Sequence, residues 1–163
     1  MDRKIVYLII ILFCLVNILT HGQTTTEDTT SWYKIAYDRN DSGAVALAML
    51  IERSGPATTV EQVKNQLPTN YTINNMLSVL KTYDIDFRYL NRISDWDENG
   101  VLLVLINPSS FAPYDYDGLH YIIITGIHNE YYVVNDSFIG IYQRYYKQLD
   151  MNRARYWYII QVF

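Results

Sequence analysis

The sequence predicts an α+β domain, with N-terminal helices packed on a C-terminal antiparallel sheet. Apolar residues recur at helical spacing through residues 42–83, alternation and short apolar runs take over from Ile85, and no segment repeats another. Helices first and strands afterwards is the order of an α+β chain, not of alternating βαβ units.

The chain of 163 residues opens on Asp2-Arg3-Lys4 and then runs from Ile5 to Leu19, interrupted only by Asn17. That run is shorter than the roughly 20 residues a spanning helix needs. Its basic start, apolar middle and Thr20-His21-Gly22 ending read as a signal peptide cut after Gly22. Left uncut, residues 5–19 would serve as an N-terminal membrane anchor. The expected location is therefore secreted, periplasmic or extracellular, or membrane-anchored at the N-terminus. Residues 23–31 (QTTTEDTTS) are Thr-rich, polar and aperiodic, which marks a linker. The domain proper is then 32–163, long enough to bury a core.

Cys14 is the only cysteine and lies in the leader, behind Phe13, which argues against a lipoprotein. A cleaved chain would hold no thiol, which excludes disulfides and zinc–thiolate sites. With 13 basic and 17 acidic residues the chain lacks the positive footprint of a nucleic-acid binder.

Within the domain, Ser42 to Arg53 reads as a helix apolar on nearly every side, hence buried, and Gly55-Pro56 ends it. Thr59 to Leu67 is a short amphipathic helix capped by Thr58 or Thr59 and stopped by Pro68. Thr72 to Tyr83 is a third, with Ile73, Met76, Leu77 and Leu80 inward. Ile85, Phe87 and Tyr89 alternate with polar residues as in a strand, and Val101 to Ile106 is a central strand. Asn107 to Gly118 is a loop of turn formers. Leu119–Ile127, Tyr131–Asn135, Gly140–Tyr146 and Tyr156–Phe163 complete the strands.

The chemistry gathers at three places. Asn40-Asp41-Ser42 is a polar turn opening into the buried helix, so Ser42 sits where amide groups and the helix dipole favour negative charge. A turn at Ile127-His128-Asn129 sets His120 opposite Asp136 across a hairpin, where a carboxylate would fix the imidazole tautomer. Nucleophile at a helix start, then His and Asp on neighbouring strands, is the plan of papain-like thiol hydrolases. The plainer readings stay open: Ser42 or Asp41 as a helix cap, His120 as a satisfied core histidine, Asp136 as the start of a turn. His128 is a hairpin tip and His21 belongs to the leader. The 16 tyrosines read as half-buried strand aromatics. Asp115, Asp117 and Asp136 match no calcium-loop spacing, so neither metal nor cofactor is expected. Three glycosylation sequons, at Asn40, Asn70 and Asn135, read as chance matches.

The DSGAVALAML turn–helix, HYIIITGI and YYVVND, in that order, resemble the bacteriocin-processing cysteine peptidases. These are papain-like domains that cut leader peptides after a double glycine, often at the N-terminus of an export ABC transporter. The resemblance covers most of Tyr37 to Phe138. It implies a papain-like cysteine peptidase fold, with Ser42 at the nucleophile position, His120 at the general base and Asp136 at the orienting acid. It also implies two departures. The family's Cys is Ser42, and its oxyanion Gln, six residues earlier, falls on Ala36. The expectation is an exported, inactive leader-peptidase-like domain that binds a peptide or partner segment, such as a double-glycine leader, in the former substrate groove. An export-machinery partner is implied with it. The alternatives are an active hydrolase using Ser42, His120 and Asp136, and a purely structural interaction domain. The chain carries no P-loop, so it is not itself the transporter.

Overall fold

The computed structural model describes residues 33–34, 36, 39–68, 71–107, 118–137 and 141–163, leaving aside the side chains of Arg39 and residues 141–143. The expected signal peptide or anchor, the linker, Asp115, Asp117, Asn70 and most of the 107–118 loop lie outside the described residues. All described residues fall within one compact unit, Trp32–Phe163. Among them no helix is long and apolar enough to cross a membrane.

A 3-10 turn at Arg39–Asp41 leads into α1 (Ser42–Arg53), in which Ser42 to Ile51 are all buried. An Ala-rich helix with apolar residues all round has no face to give to water, so it becomes the centre of the helical layer. Helix α2 (Val60–Gln66) starts at a capping box, the Thr59 side chain accepting from the Gln62 amide and the Gln62 side chain from the Thr59 amide. Helix α3 (Ile73–Thr82) starts where Thr72 accepts from the Asn75 amide, and it buries Ile73, Met76, Leu77, Val79 and Leu80. These are the three helices read from the sequence, each within a residue of its expected ends.

Six antiparallel strands follow: β1 (Phe87–Tyr89), β2 (Val101–Ile106), β3 (His120–His128), β4 (Tyr131–Asp136), β5 (Ile141–Lys147) and β6 (Tyr156–Val162). They lie in the order β1-β6-β2-β3-β4-β5. Strand β2 is buried at all six positions because both sheet faces are covered. Leu103, Leu105, Tyr121, Ile123 and Ile160 meet the helices. On the opposite face Leu102, Val104, Ile106, Ile122, Ile124 and Val134 pack with Ile93, Trp96 and Met151. Met151 comes from α4 (Gln148–Arg153), an element the sequence reading did not anticipate. One apolar side chain of six is buried there, too few to show a period. At the mouth of β2, Gly100 takes φ +82°, and a Cβ there would run into the Val162 carbonyl.

Candidate functional site

The hairpin β3–β4 turns further along the chain than its sequence suggests. His128 pairs with Tyr131, so Asn129-Glu130 forms the two-residue turn, with Asn129 at φ +55°. That conformation suits Asn better than most residues. From the turn, Ile127 pairs with Tyr132 and Gly126 with Val133, but the next pairs are Ile124 with Val134 and Ile123 with Asn135. Thr125 is the extra residue of a β-bulge.

The bulge decides the site. Below it, Asp136 follows Asn135 and so stands across from Ile122, two residues along from His120 and on the same row of side chains. Had the turn's register run unbroken, Asp136 would face Ile123, three residues from His120, and the two side chains would leave opposite faces of the sheet. Instead of standing directly opposite, His120 and Asp136 form a diagonal pair, with His120 Nε2 2.8 Å from Asp136 Oδ1. Both are buried, at 2% and 0% exposure.

Ser42 is the first residue of α1 and is 5% exposed. The preceding Asp41 makes no side-chain cap; its carboxylate bonds Lys64 Nζ of α2 at 3.1 Å. The next residue, Gly43, lies against Tyr121, whose ring carbons would be 3.3 Å from a Cβ at that position. The first turn of α1 therefore packs on the β3 residue next to His120. Among the described residues, no side-chain hydrogen bond joins Ser42 to His120. The structure thus bonds two of the three expected residues to each other and places the third at the neighbouring helix start.

The segment ahead of α1 is strapped across the end of β4. Tyr33 Oη donates to the Asp136 carbonyl at 2.9 Å, Lys34 pairs with Glu52 of α1, and the Ala36 amide donates to the Ser137 carbonyl at 3.0 Å. Ala36 is buried just past the end of β4, with no polar side chain and with its backbone N–H already engaged. Asn135, on the alternate row of β4, and Ser137, just past its end, are wholly buried. The Asn135 carboxamide and the Ser137 hydroxyl have no hydrogen-bond partner among the described residues.

Two residues at the site escaped the sequence reading. Arg144 pairs with Val134 and Tyr146 with Tyr132, which puts both on the Asp136 row of the sheet. Arg144 Nη1 donates to Tyr146 Oη at 3.4 Å, and the Tyr146 phenol lies close enough to the Asp136 carboxylate to feel its charge. Strand alternation in IYQRYYK could have shown that Arg144 and Tyr146 share a face, but only strand pairing shows which carboxylate they meet.

Burial pushes the His120 imidazole down to about 4, so the ring is neutral at physiological pH. With Asp136 as acceptor the ring proton sits on Nε2, and Nδ1 keeps its lone pair. Burial, then the nearby Asp136 charge, push the Tyr33 and Tyr146 phenols up to about 12. Among the described residues no group of three or more His, Cys, Asp or Glu side chains is arranged to hold a metal. The arrangement combines a neutral imidazole oriented by a buried acid with a hydroxyl at the start of the neighbouring helix.

The Peptidase C39 family profile matches residues 32–160. No curated protein matches the sequence. Among solved structures, the chain is similar to a double-glycine-motif protease from an AMS/PCAT transporter in complex with the leader peptide. The TM-score is 0.64 at 15% identity, over 80% of this chain and 89% of that one. It is also similar to the peptidase domain of Streptococcus ComA, a bifunctional ABC transporter involved in quorum sensing, at TM-score 0.63 and 13% identity over 79% and 95% of the two chains. A C39-like peptidase from Bacillus anthracis matches at TM-score 0.62 and 11% identity, over 80% and 93%. At these identities the likeness is one of fold: helices on a six-stranded antiparallel sheet, as in papain-like C39 domains.

Proposed function

The chain belongs to the Peptidase C39 family, and from that premise we propose that it is an exported member that binds an extended peptide without cutting it. The observation that carries this reading is Ala36. Acyl transfer needs donors aimed at the developing oxyanion, and losing one typically lowers the rate by about 10²–10³. At the position where the family resemblance implies a glutamine, this chain has a methyl group, and the backbone amide behind it is bonded to Ser137. Ser42 adds a second deficit. A helix start lowers a thiol's pKa enough to populate thiolate, whereas a hydroxyl there still needs a base to remove its proton.

Binding has support of its own. The Asn135 carboxamide and Ser137 hydroxyl, which have no hydrogen-bond partner among the described residues, are costly to bury unless something meets them, about 1–3 kcal/mol each. An amide that can both donate and accept suits a peptide backbone. The ligand class is an extended segment with small residues near Ser42, of which a double-glycine leader is the first candidate, delivered by an export transporter. Residues 1–22 would take the domain out of the cell or hold it at the membrane. A second reading, hydrolysis by Ser42, is favoured by one feature, the retained His120–Asp136 pair.

The test incubates the chain and its Ser42→Ala form with a peptide library containing double-glycine leaders, followed by mass spectrometry and by retention on the immobilised protein. Retention by both forms with no new termini is the expected result. Cleavage by the parent alone would replace the proposal with a serine hydrolase. Neither retention nor cleavage would leave a structural domain.

A further inference from the structure

We propose that Arg144 and Tyr146 are positioning residues: a relay from the guanidinium through the phenol to Asp136 supplies that carboxylate's counter-charge and so holds His120 as a neutral, Nε2–H imidazole.

The geometry builds from the sheet. Asp136 is wholly buried and accepts from His120 Nε2 at 2.8 Å. A buried carboxylate needs a compensating cation or several donors. In a working triad the imidazolium formed during the reaction becomes that cation. Here β5 brings another one. Arg144 donates to Tyr146 at 3.4 Å, and the Tyr146 phenol stands within reach of the Asp136 charge. Both stand on the same row of the sheet as Asp136, across from Val134 and Tyr132. The titratable groups facing the pair among the described residues are Arg144 and Tyr146 from β5 and Tyr33 from the strap before α1. Arg144 is the only cation among them.

Two cations compete for one carboxylate. With Arg144 in place, protonating His120 adds a second positive charge to a dry site, and the burial that depresses its pKa is not offset. Remove Arg144, and the imidazolium becomes the best available partner for Asp136. A residue needed only for folding would change stability without raising the proton affinity of His120.

The experiment is ¹⁵N-histidine NMR on the full chain, with His120 assigned by its loss in His120→Gln and followed from about pH 8 to about pH 4. The parent should show one neutral tautomer, protonated at Nε2, across most of that range. Arg144→Gln should raise the His120 pKa by about one unit or more, a tenfold gain in proton affinity. Tyr146→Phe, which keeps the ring and loses only the hydroxyl, should raise it less. No rise in a folded Arg144→Gln protein overturns the proposal, as does an Nδ1–H tautomer in the parent. If Arg144→Gln fails to fold, Tyr146→Phe decides alone: a rise supports the relay and an unmoved titration overturns it.

Discussion

Acidification should weaken the fold through the buried His120 imidazole. An unfolded His120 takes up a proton near its ordinary value of 6.5, whereas the folded ring resists until about 4. Between those values the unfolded chain binds more protons than the native one, so stability falls as pH falls. The contribution is intact above 6.5 and fully lost below 4. A difference of about 2.5 units at 1.36 kcal/mol per unit makes the loss about 3 kcal/mol. That is a large part of the 5–15 kcal/mol typical of a domain. The assay is urea unfolding at about pH 7 and about pH 4 for the parent and for His120→Gln, which removes the titration and can still donate to Asp136. All other groups are common to both proteins, so the difference between their pH slopes reports His120 together with the Asp136 carboxylate bonded to it. The parent should lose about 3 kcal/mol more than the variant. Equal losses, or a His120 that titrates near 6.5 in the folded protein, would refute the argument that burial dominates its proton affinity.

Three further outcomes are expected. Gly43→Val should drive a branched side chain into the Tyr121 ring, already 3.3 Å from where a Cβ would stand, and lower stability by about 1–3 kcal/mol in urea denaturation. Thr59→Ala removes the reciprocal cap of α2 and should cost about 1 kcal/mol in the same measurement. Ser42→Cys should alkylate readily with iodoacetamide because of its helix-start position. Cleavage of a double-glycine leader should appear only when Ala36→Gln is added, the second change contributing about 10²–10³ in rate.

Much of the fold was legible because local and tertiary signals agree. The start of α1 falls at Ser42 as read, Thr59 and Thr72 cap the next two helices, and the unbroken run Val101–Ile106 is the central strand. Helix α4 was not legible, since a single buried Met151 leaves no pattern. His120 and Asp136 were foreseen as partners, but in the wrong register. A turn without glycine gives a weak marker, and a bulge at Thr125 depends on pairing rather than on residue type. Arg144 and Tyr146 were hidden for a related reason: β5 reads as an ordinary aromatic strand until its neighbour is known. The Tyr33–Ala36 strap joins residues some hundred positions apart, beyond the reach of any periodicity.

The extra residue at Thr125 also divides the hairpin into two parts that can change length independently. Between the bulge and Asn129-Glu130, residues can be added in matched pairs, or the tip replaced outright, without disturbing the rows that carry His120 and Asp136. Below the bulge there is no such freedom. A single insertion or deletion among Tyr121 to Ile124, or at Val134 or Asn135, turns one of the two side chains to the other face. Relatives that differ in this hairpin should therefore vary in length at its tip and keep their spacing beneath it. A peptide-binding loop grafted onto this scaffold belongs at His128–Tyr131.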